Sequence, residues 1–326
     1  MATLDTTGNL TLLELANRVA PDGKLAKIAE AASKKVELLQ YLTWTEANGN
    51  DIHQHDRRLV EPSGEWGRAN RGVQHESSRT KPVKEPIATL ESYNYIDDRI
   101  AKRYSDPMSF RATEDNAFKS GMLKEVASKF VYGNRTSNPD TIQGLANRED
   151  YDEVSDAQVI DGSGSGSDLM SVYLIKFDTE NGLYGVYPPG DPTTMIEEED
   201  LGRQLVYDSS NGGSYQAWVT HHKINIGLVI SDPRAVVRVA NLETSGTSNI
   251  LTDDLLLQGM EELDDADNVG LMMNKRAWRY LQQEATDKAN VQYQPDSPFG
   301  GRWIRSFMDI PVILNDTMLI TESEVT

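Results

Sequence analysis

The residues best equipped for chemistry in this 326-residue chain are few and scattered. His53 and His55 stand two apart. On an extended strand both point to one side, where Asp51 or Asp56 would extend them toward a metal site. The plainer reading is two polar residues on an exposed edge ribbon, which needs no third ligand. His221 and His222 are adjacent, so a regular strand sends them to opposite faces and they cannot share an ion. Asp253, Asp254, Glu261, Glu262, Asp264, Asp265 and Asp267 form an acidic cluster. It lacks the Asp-x-Asp-x-Asp-Gly spacing and closing glutamate of a calcium loop, and reads as a solvated face. Glu197-Glu198-Glu199-Asp200 is a run of four charges. Paired carboxylates do acid–base work only where burial splits their pKa values, and nothing apolar surrounds these four, so they read as a solvated loop. Gly162-Ser-Gly-Ser-Gly166 has the letters of a nucleophile elbow but no strand-to-helix setting, and no phosphate-loop lysine follows it. With Ser167 it reads as a low-complexity flexible joint or loop. The chain has no cysteine, which excludes disulfides, thiolate metal sites and thiol nucleophiles. No catalytic, cofactor-binding or metal-binding residue is assigned.

The composition narrows the classes further. Lys and Arg total 32 against 51 Asp and Glu, a formal net charge of −19, and 38% of residues are hydrophobic. So acidic a chain is a poor general binder of nucleic acid, because phosphate contacts depend on Lys and Arg. No run approaches the ~18 apolar residues of a membrane span, and Met1 to Asn17 lacks the layout of a signal peptide. At roughly 100–200 residues per domain the chain makes two domains or one elaborate one. The expectation is a soluble intracellular product that acts alone, in an oligomer or in an assembly.

The elements that must position any site are extended as often as compact. Met1 to Leu10 is a polar arm. Leu25, Ile28, Ala29, Ala32, Val36 and Leu39 then recur at helical spacing after Pro21-Asp22-Gly23. From Thr45 to Leu90 large apolar residues are sparse, and two extended stretches, 51–61 and 77–90, flank the turn-rich run Pro62 to Gly72. Such a ribbon cannot build a core of its own; it is either disordered or laid on another subunit. Trp66, in the middle of that polar loop, is either a local clasp or an anchor for a partner. The longest helix spans Ser105 to Val131, capped by Ser105 or Asp106, with Phe110, Ala117, Met122, Val126, Ala127 and Phe130 on its apolar face and Gly133-Asn134 ending it. Strands are expected at 172–177 and 182–187, joined as a hairpin by Asp178 to Gly182, and at 218–230. Short helices are expected at 233–242 and 255–263 and a firmer one at 274–285, and two closing strands turn about Asn315-Asp316 within 307–320.

Charge is distributed in blocks. Residues 57–84 hold seven basic residues against three acidic ones, net +4, while residues 149–208 hold fifteen acidic residues against two basic ones, net −13. A positive ribbon and a negative body suit head-to-tail contact between copies. Arg57, Arg58, Trp66, Arg68 and Arg71 are the expected inter-subunit contacts.

The order of these features resembles the major capsid proteins of tailed phages. The words that carry the resemblance are Tyr132-Gly-Asn134 with Pro139, Gln143-Gly-Leu145 and Arg148; Leu183-Tyr-Gly-Val-Tyr-Pro188 and Asp200-Leu-Gly202; and Ile226-Gly-Leu-Val229, Asp232-Pro-Arg234 and Val237-Arg-Val-Ala-Asn241. It runs from about Leu38 to Ile320. It implies an α+β, Hong Kong 97-like capsid fold: an N-terminal arm and helix (1–43), an extended E-loop hairpin (44–91), a P-domain with its spine helix (92–142), an axial A-domain (143–217 and 243–300), a junction strand (218–242) and closing P-domain strands (301–326). The implied function is self-assembly into pentamers and hexamers of an icosahedral shell that encloses DNA without sequence-specific binding, in the virion, after assembly in the host cytoplasm. The implied partners are a scaffolding protein, a portal and a decoration protein, with no membrane and no cofactor. Because only about twenty residues precede the first firm helix, the scaffold is expected as a separate protein or the chain as already trimmed. No residue pair identifies the covalent crosslink of some relatives. The rival readings are an encapsulin-like compartment shell, a head-decoration or tail-tube protein, and a metal-dependent hydrolase using His53 and His55.

Overall fold

The computed structural model describes residues 37–104, 106–190, 196–207, 212–265, 267–285 and 306–326. The N-terminal arm and most of the helix expected over 25–39 lie outside these residues. The described residues divide into two compact units, one drawn from 89–126 and 196–225, the other from 37–88, 127–190 and 226–326.

The chain opens with α1 (Leu38–Tyr41) and β1 (Trp44–Glu46), followed by β2 (Ile52–Val60) and β3 (Arg79–Pro86), which pair antiparallel as the two expected extended stretches. Then come β4 (Ala88–Asp97), α2 (Asp98–Ala101) and α3 (Pro107–Tyr132). Asp106 caps α3, its Oδ1 accepting from the Met108 and Ser109 amides at 3.1 and 3.2 Å, and Pro107 stands where a missing N–H costs nothing. Gly133 closes it: its amide donates to Lys129 O, and a Cβ there would collide with Ile142 O. Phe110, Met122, Val126, Ala127 and Phe130 are buried as the helical period requires. Ala117 is exposed instead, and the buried places on the first half of α3 go to Arg111 and Asp115.

The remaining elements are β5 (Val159–Asp161), β6 (Leu169–Lys176), β7 (Leu183–Tyr187), β8 (Glu197–Tyr207), β9 (Ser214–Ile230), β10 (Val236–Glu243), α4 (Asp253–Glu261), β11 (Val269–Met273), α5 (Lys275–Ala285), β12 (Ser306–Phe307) and β13 (Ile310–Leu314). In the first unit β8 runs antiparallel to β9, and β4 also neighbours β9. In the second unit β7 pairs with β1 and with the end of β9. A six-stranded sheet, in the order β12-β13-β11-β6-β10-β5, carries the main core, and α4 and α5 bury Leu256, Ala277, Tyr280 and Leu281 in that core.

Five expectations are corrected. The hairpin through Asp178 to Gly182 does not form: β6 lies between β10 and β11, whereas β7 belongs with β1 and β9. Every residue of β6 is buried, so it needs a neighbour on each side, and an adjacent hairpin partner would leave one edge open. Residues 233–242 are a single 3-10 turn at Pro233–Ala235 and then strand β10, because Val237, Val239 and Leu242 fill the sheet core. The closing strands turn at Met308-Asp309, both at positive φ, not at Asn315-Asp316. The stretch 162–166 is no free joint: Gly162 and Gly164 donate backbone bonds to Ala240 O and Asn241 O at 2.9 and 2.8 Å, and a Cβ on Gly164 would lie 2.5 Å from Asn241 O. There the glycines serve close approach rather than flexibility. The run Glu197 to Asp200 is likewise strand, not loop, with a register shift after Asp200.

The C-terminal segment is tied in by a buried ion pair. Glu322 accepts from Tyr132 Oη at 2.6 Å, Ser171 Oγ at 2.5 Å and Arg238 Nη2 at 3.2 Å. Arg238 also donates to Tyr151 O at 2.9 Å. Burial, reinforced by the Glu322 carboxylate, pushes the Tyr132 hydroxyl far up, which keeps it a donor.

Candidate inter-subunit interface

The β2–β3 hairpin has a bound root and a bare tip. In the root, alternation turns His53, His55, Arg57, Val83 and Glu85 inward and leaves Ile52, Gln54, Asp56 and Lys84 outside. Buried Glu85 takes a fork of two bonds from Arg148, 2.6 and 3.2 Å, and the same guanidinium donates to Leu228 O at 2.9 Å. Paired, bidentate geometry is what makes a buried carboxylate tolerable. Arg57 reaches Asp150 and Ile230 O, both at 3.3 Å. His53 Nε2 lies 3.2 Å from the Tyr184 hydroxyl, and its ring stacks on His55 at 6.3 Å. The two histidines therefore share a side, as their spacing requires, but what they meet is Tyr184, Glu85 and Arg57. Among the described residues no group of three or more His, Asp or Glu side chains is placed to hold a metal ion.

Burial pulls both His53 and His55 below their ordinary 6.5, with Glu85 opposing. Below 6.5 the unfolded root takes up protons that the folded root refuses, so its stability falls as pH drops from 6.5 toward the folded values. Protection factors of the amides in 52–58 and 80–86, corrected for intrinsic exchange, are expected to be lower at pH 5.5 than at 7.5. Equal protection at both would contradict this account of the root.

Beyond Val60 the hairpin touches little of its own subunit. Every residue from 61 to 78 is exposed, and Trp66 is 100% exposed. The tip is shaped by its own backbone: Glu76 accepts from the Gly64 amide at 2.9 Å, Glu65 from the Gln74 amide at 3.3 Å, and Arg71 N donates to Arg68 O at 3.1 Å. Asn70, at φ 64°, is the third residue of that last turn, as a type II turn demands. Arg68 and Arg71 are therefore the first and fourth residues of a tight turn. Of the five residues expected to meet a neighbour, Arg58, Trp66, Arg68 and Arg71 are exposed, while Arg57 is engaged at the root.

Sequence reasoning missed the polar side chains buried in the first unit. Asn94 donates to Asp115 at 2.8 Å, with His222 Nε2 3.5 Å from the same carboxylate. Arg111 and Arg203 stack over the Trp218 ring at 4.3 and 4.7 Å, and Arg111 pairs with Asp200 at 2.9 Å. The available signal was Arg111 and Asp115 four apart on the core side of a helix.

The model of the family described as major capsid protein GP7 matches residues 20–326. No curated protein matches significantly. Among solved structures, that of bacteriophage epsilon15, from cryo-electron microscopy, aligns over 100% of both chains with a TM-score of 0.75 and 25% identity. The capsid of bacteriophage JBD30 covers 89% of this chain and 94% of its own at TM-score 0.50 and 10% identity, a likeness of fold alone. The SrpI encapsulin of Synechococcus elongatus PCC 7942 aligns at TM-score 0.47 and 12% identity over 74% of this chain and 99% of its own, too distant to bear on function.

Proposed function

Because the chain belongs to the major capsid protein GP7 family, and is thus the shell subunit of a tailed bacteriophage with a Hong Kong 97-like fold, we propose that the hairpin tip is what joins one copy to the next. Copies of the chain self-assemble into the capsid of the virion, and its role there is structural. In the finer reading, the β2–β3 hairpin is the E-loop, α3 is the spine helix of the P-domain, β5, β6 and β11 with α4 and α5 belong to the axial A-domain, β10 to the junction, and β12 and β13 are the closing P-domain strands. Pentamers and hexamers form from one subunit as the tip adjusts to different neighbours. A scaffolding protein guides assembly in the host cytoplasm, a portal occupies one vertex, and a decoration protein binds the finished shell. The chain encloses DNA without reading its sequence and performs no catalytic step.

The observation that carries this reading is the tip itself: eighteen consecutive exposed residues, centred on a bare tryptophan and two arginines, shaped by turns but packed on nothing. Exposed ion pairs are worth only about 0–1 kcal/mol each. Closure therefore rests on apolar contact of the obligate class, on the order of 2,000–5,000 Å², while charge matching sets the register. Protein produced together with its scaffolding protein, examined by negative-stain microscopy and sedimentation, is expected to give closed shells, with assembly weakening from low to physiological salt. Open tubes or a persistent monomer would refute the shell reading; indifference to salt would refute charge matching.

A further inference from the structure

Strand β8 is an edge strand whose two halves are built differently. Among the described residues it pairs with β9 and with no other strand, which leaves one side of its backbone without a ladder partner. Such an edge invites a further strand, and folds blunt it with charge, with proline or with a bulge. The first half of β8 has two of these guards. Glu197 to Asp200 bring four carboxylates, and the register slips between Asp200 and Gly202, where Gly202 stands at φ 72°. Glu198 and Asp200 are also committed within the subunit, to Lys119 and to Arg111. The second half, Arg203-Gln-Leu-Val-Tyr207, has no proline, no acidic residue and no register shift. Leu205 is 72% exposed and Tyr207 67%, after Trp66 the most exposed large apolar side chains among the described residues.

The open half is complementary to itself run backwards. In an antiparallel pair centred on Leu205, that residue meets the partner's Leu205, Arg203 stands opposite the partner's Tyr207, and Gln204 opposite the partner's Val206. Arg203, Leu205 and Tyr207 share one face of the strand, so the apolar contact and a guanidinium against a phenol ring fall together. Arg203 is already held in place, its guanidinium 4.7 Å over the Trp218 ring and its Nε 3.3 Å from Asp98, while 48% of its side chain stays exposed. The two Arg203 groups of such a pair stand about 13 Å apart, beyond the Debye length of about 8 Å at physiological salt. Both acidic runs lie outside the paired stretch. A strand paired antiparallel with itself has a two-fold axis through its centre, and a closed icosahedral shell has two-folds between its capsomers. Resting on the shell reading above, we propose that residues 203–207 of two copies pair antiparallel about Leu205, continuing the β4–β9–β8 sheet of one subunit into that of another across a two-fold. The occupant is a second copy of this chain, because the stretch satisfies its own pairing in sequence, charge and symmetry. Five residues a side bury far less than the roughly 1,200 Å² of a stable pair, so the contact closes only once capsomers hold both copies in place.

The test uses the full chain assembled with its scaffolding protein. Because the chain has no cysteine, Leu205→Cys places a single thiol on each copy. Treated with a short bismaleimide, shells are expected to yield covalent dimers joined at residue 205, and dilute subunits none. Alongside it, Leu205→Lys and Leu205→Glu should each raise the protein concentration needed for assembly about tenfold, since like charges then stand directly opposed. An equimolar mixture of the two variants should return that concentration toward wild type, a rescue that only contact of residue 205 with itself provides. Shells that give no such dimer, or a mixture as poor as its components, overturn the pairing while the capsid reading stands. Failure of the unmodified protein to form shells overturns both.

Discussion

Trp66→Ala combined with Arg68→Glu and Arg71→Glu is expected to abolish shell formation and leave a folded subunit. All three side chains are exposed, and the tip's internal bonds come from backbone amides and from Glu65 and Glu76, which remain. Surface changes of this kind alter subunit stability by no more than about 0.5 kcal/mol. An aromatic anchor buried at the centre of an interface is worth about 2 kcal/mol or more, and a reversed charge adds repulsion. In the proposed contact every copy both gives and receives one tip, so the loss falls on each contact at once. Urea unfolding should coincide with wild type while sedimentation shows only small species. Normal shells from the triple variant would mean that the tip does not hold copies together.

The largest effect on the subunit itself is expected at the Arg238–Glu322 pair. The two residues are 4% and 7% exposed, and Glu322 serves Tyr132, Ser171 and Arg238 together. Removing one partner leaves a buried charge uncompensated, at a cost of about 3–5 kcal/mol. Either Arg238→Ala or Glu322→Ala should therefore lower the urea midpoint sharply. Arg238→Met with Glu322→Leu should lose far less than the sum of the single changes, because no lone charge remains. Additive losses in that double variant would show that the two side chains are not acting as a pair.

The sequence and the structure agree where a pattern has one physical meaning. Asp106-Pro107 and the apolar recurrence after Phe110 could hardly be anything but a helix start. The dearth of apolar residues over 45–90 reads as a ribbon either disordered or laid on another subunit, whereas its root packs on Arg148, Asp150 and Tyr184 of its own subunit. They part where tertiary pairing decides. Nothing in Asp178 to Gly182 says that β6 must sit between β10 and β11, since the partners lie some sixty and a hundred residues away. Gly162 to Gly166 has the composition of a linker, yet the same absence of side chains lets the backbone lie against Asn241. Within the interface, the exposed charges and Trp66 could be read from the ribbon's polarity. The commitment of Arg57 to Asp150 depends on which strands become neighbours.

The central claim is that residues 61–78 lack a partner within their own subunit and gain one in the shell. Hydrogen exchange on dilute subunits and on assembled shells, followed for peptides covering that stretch, measures it directly. Rapid exchange in the subunit, with strong protection after assembly, is the predicted result. Protection already present in the lone subunit, or rapid exchange persisting in closed shells, would contradict it.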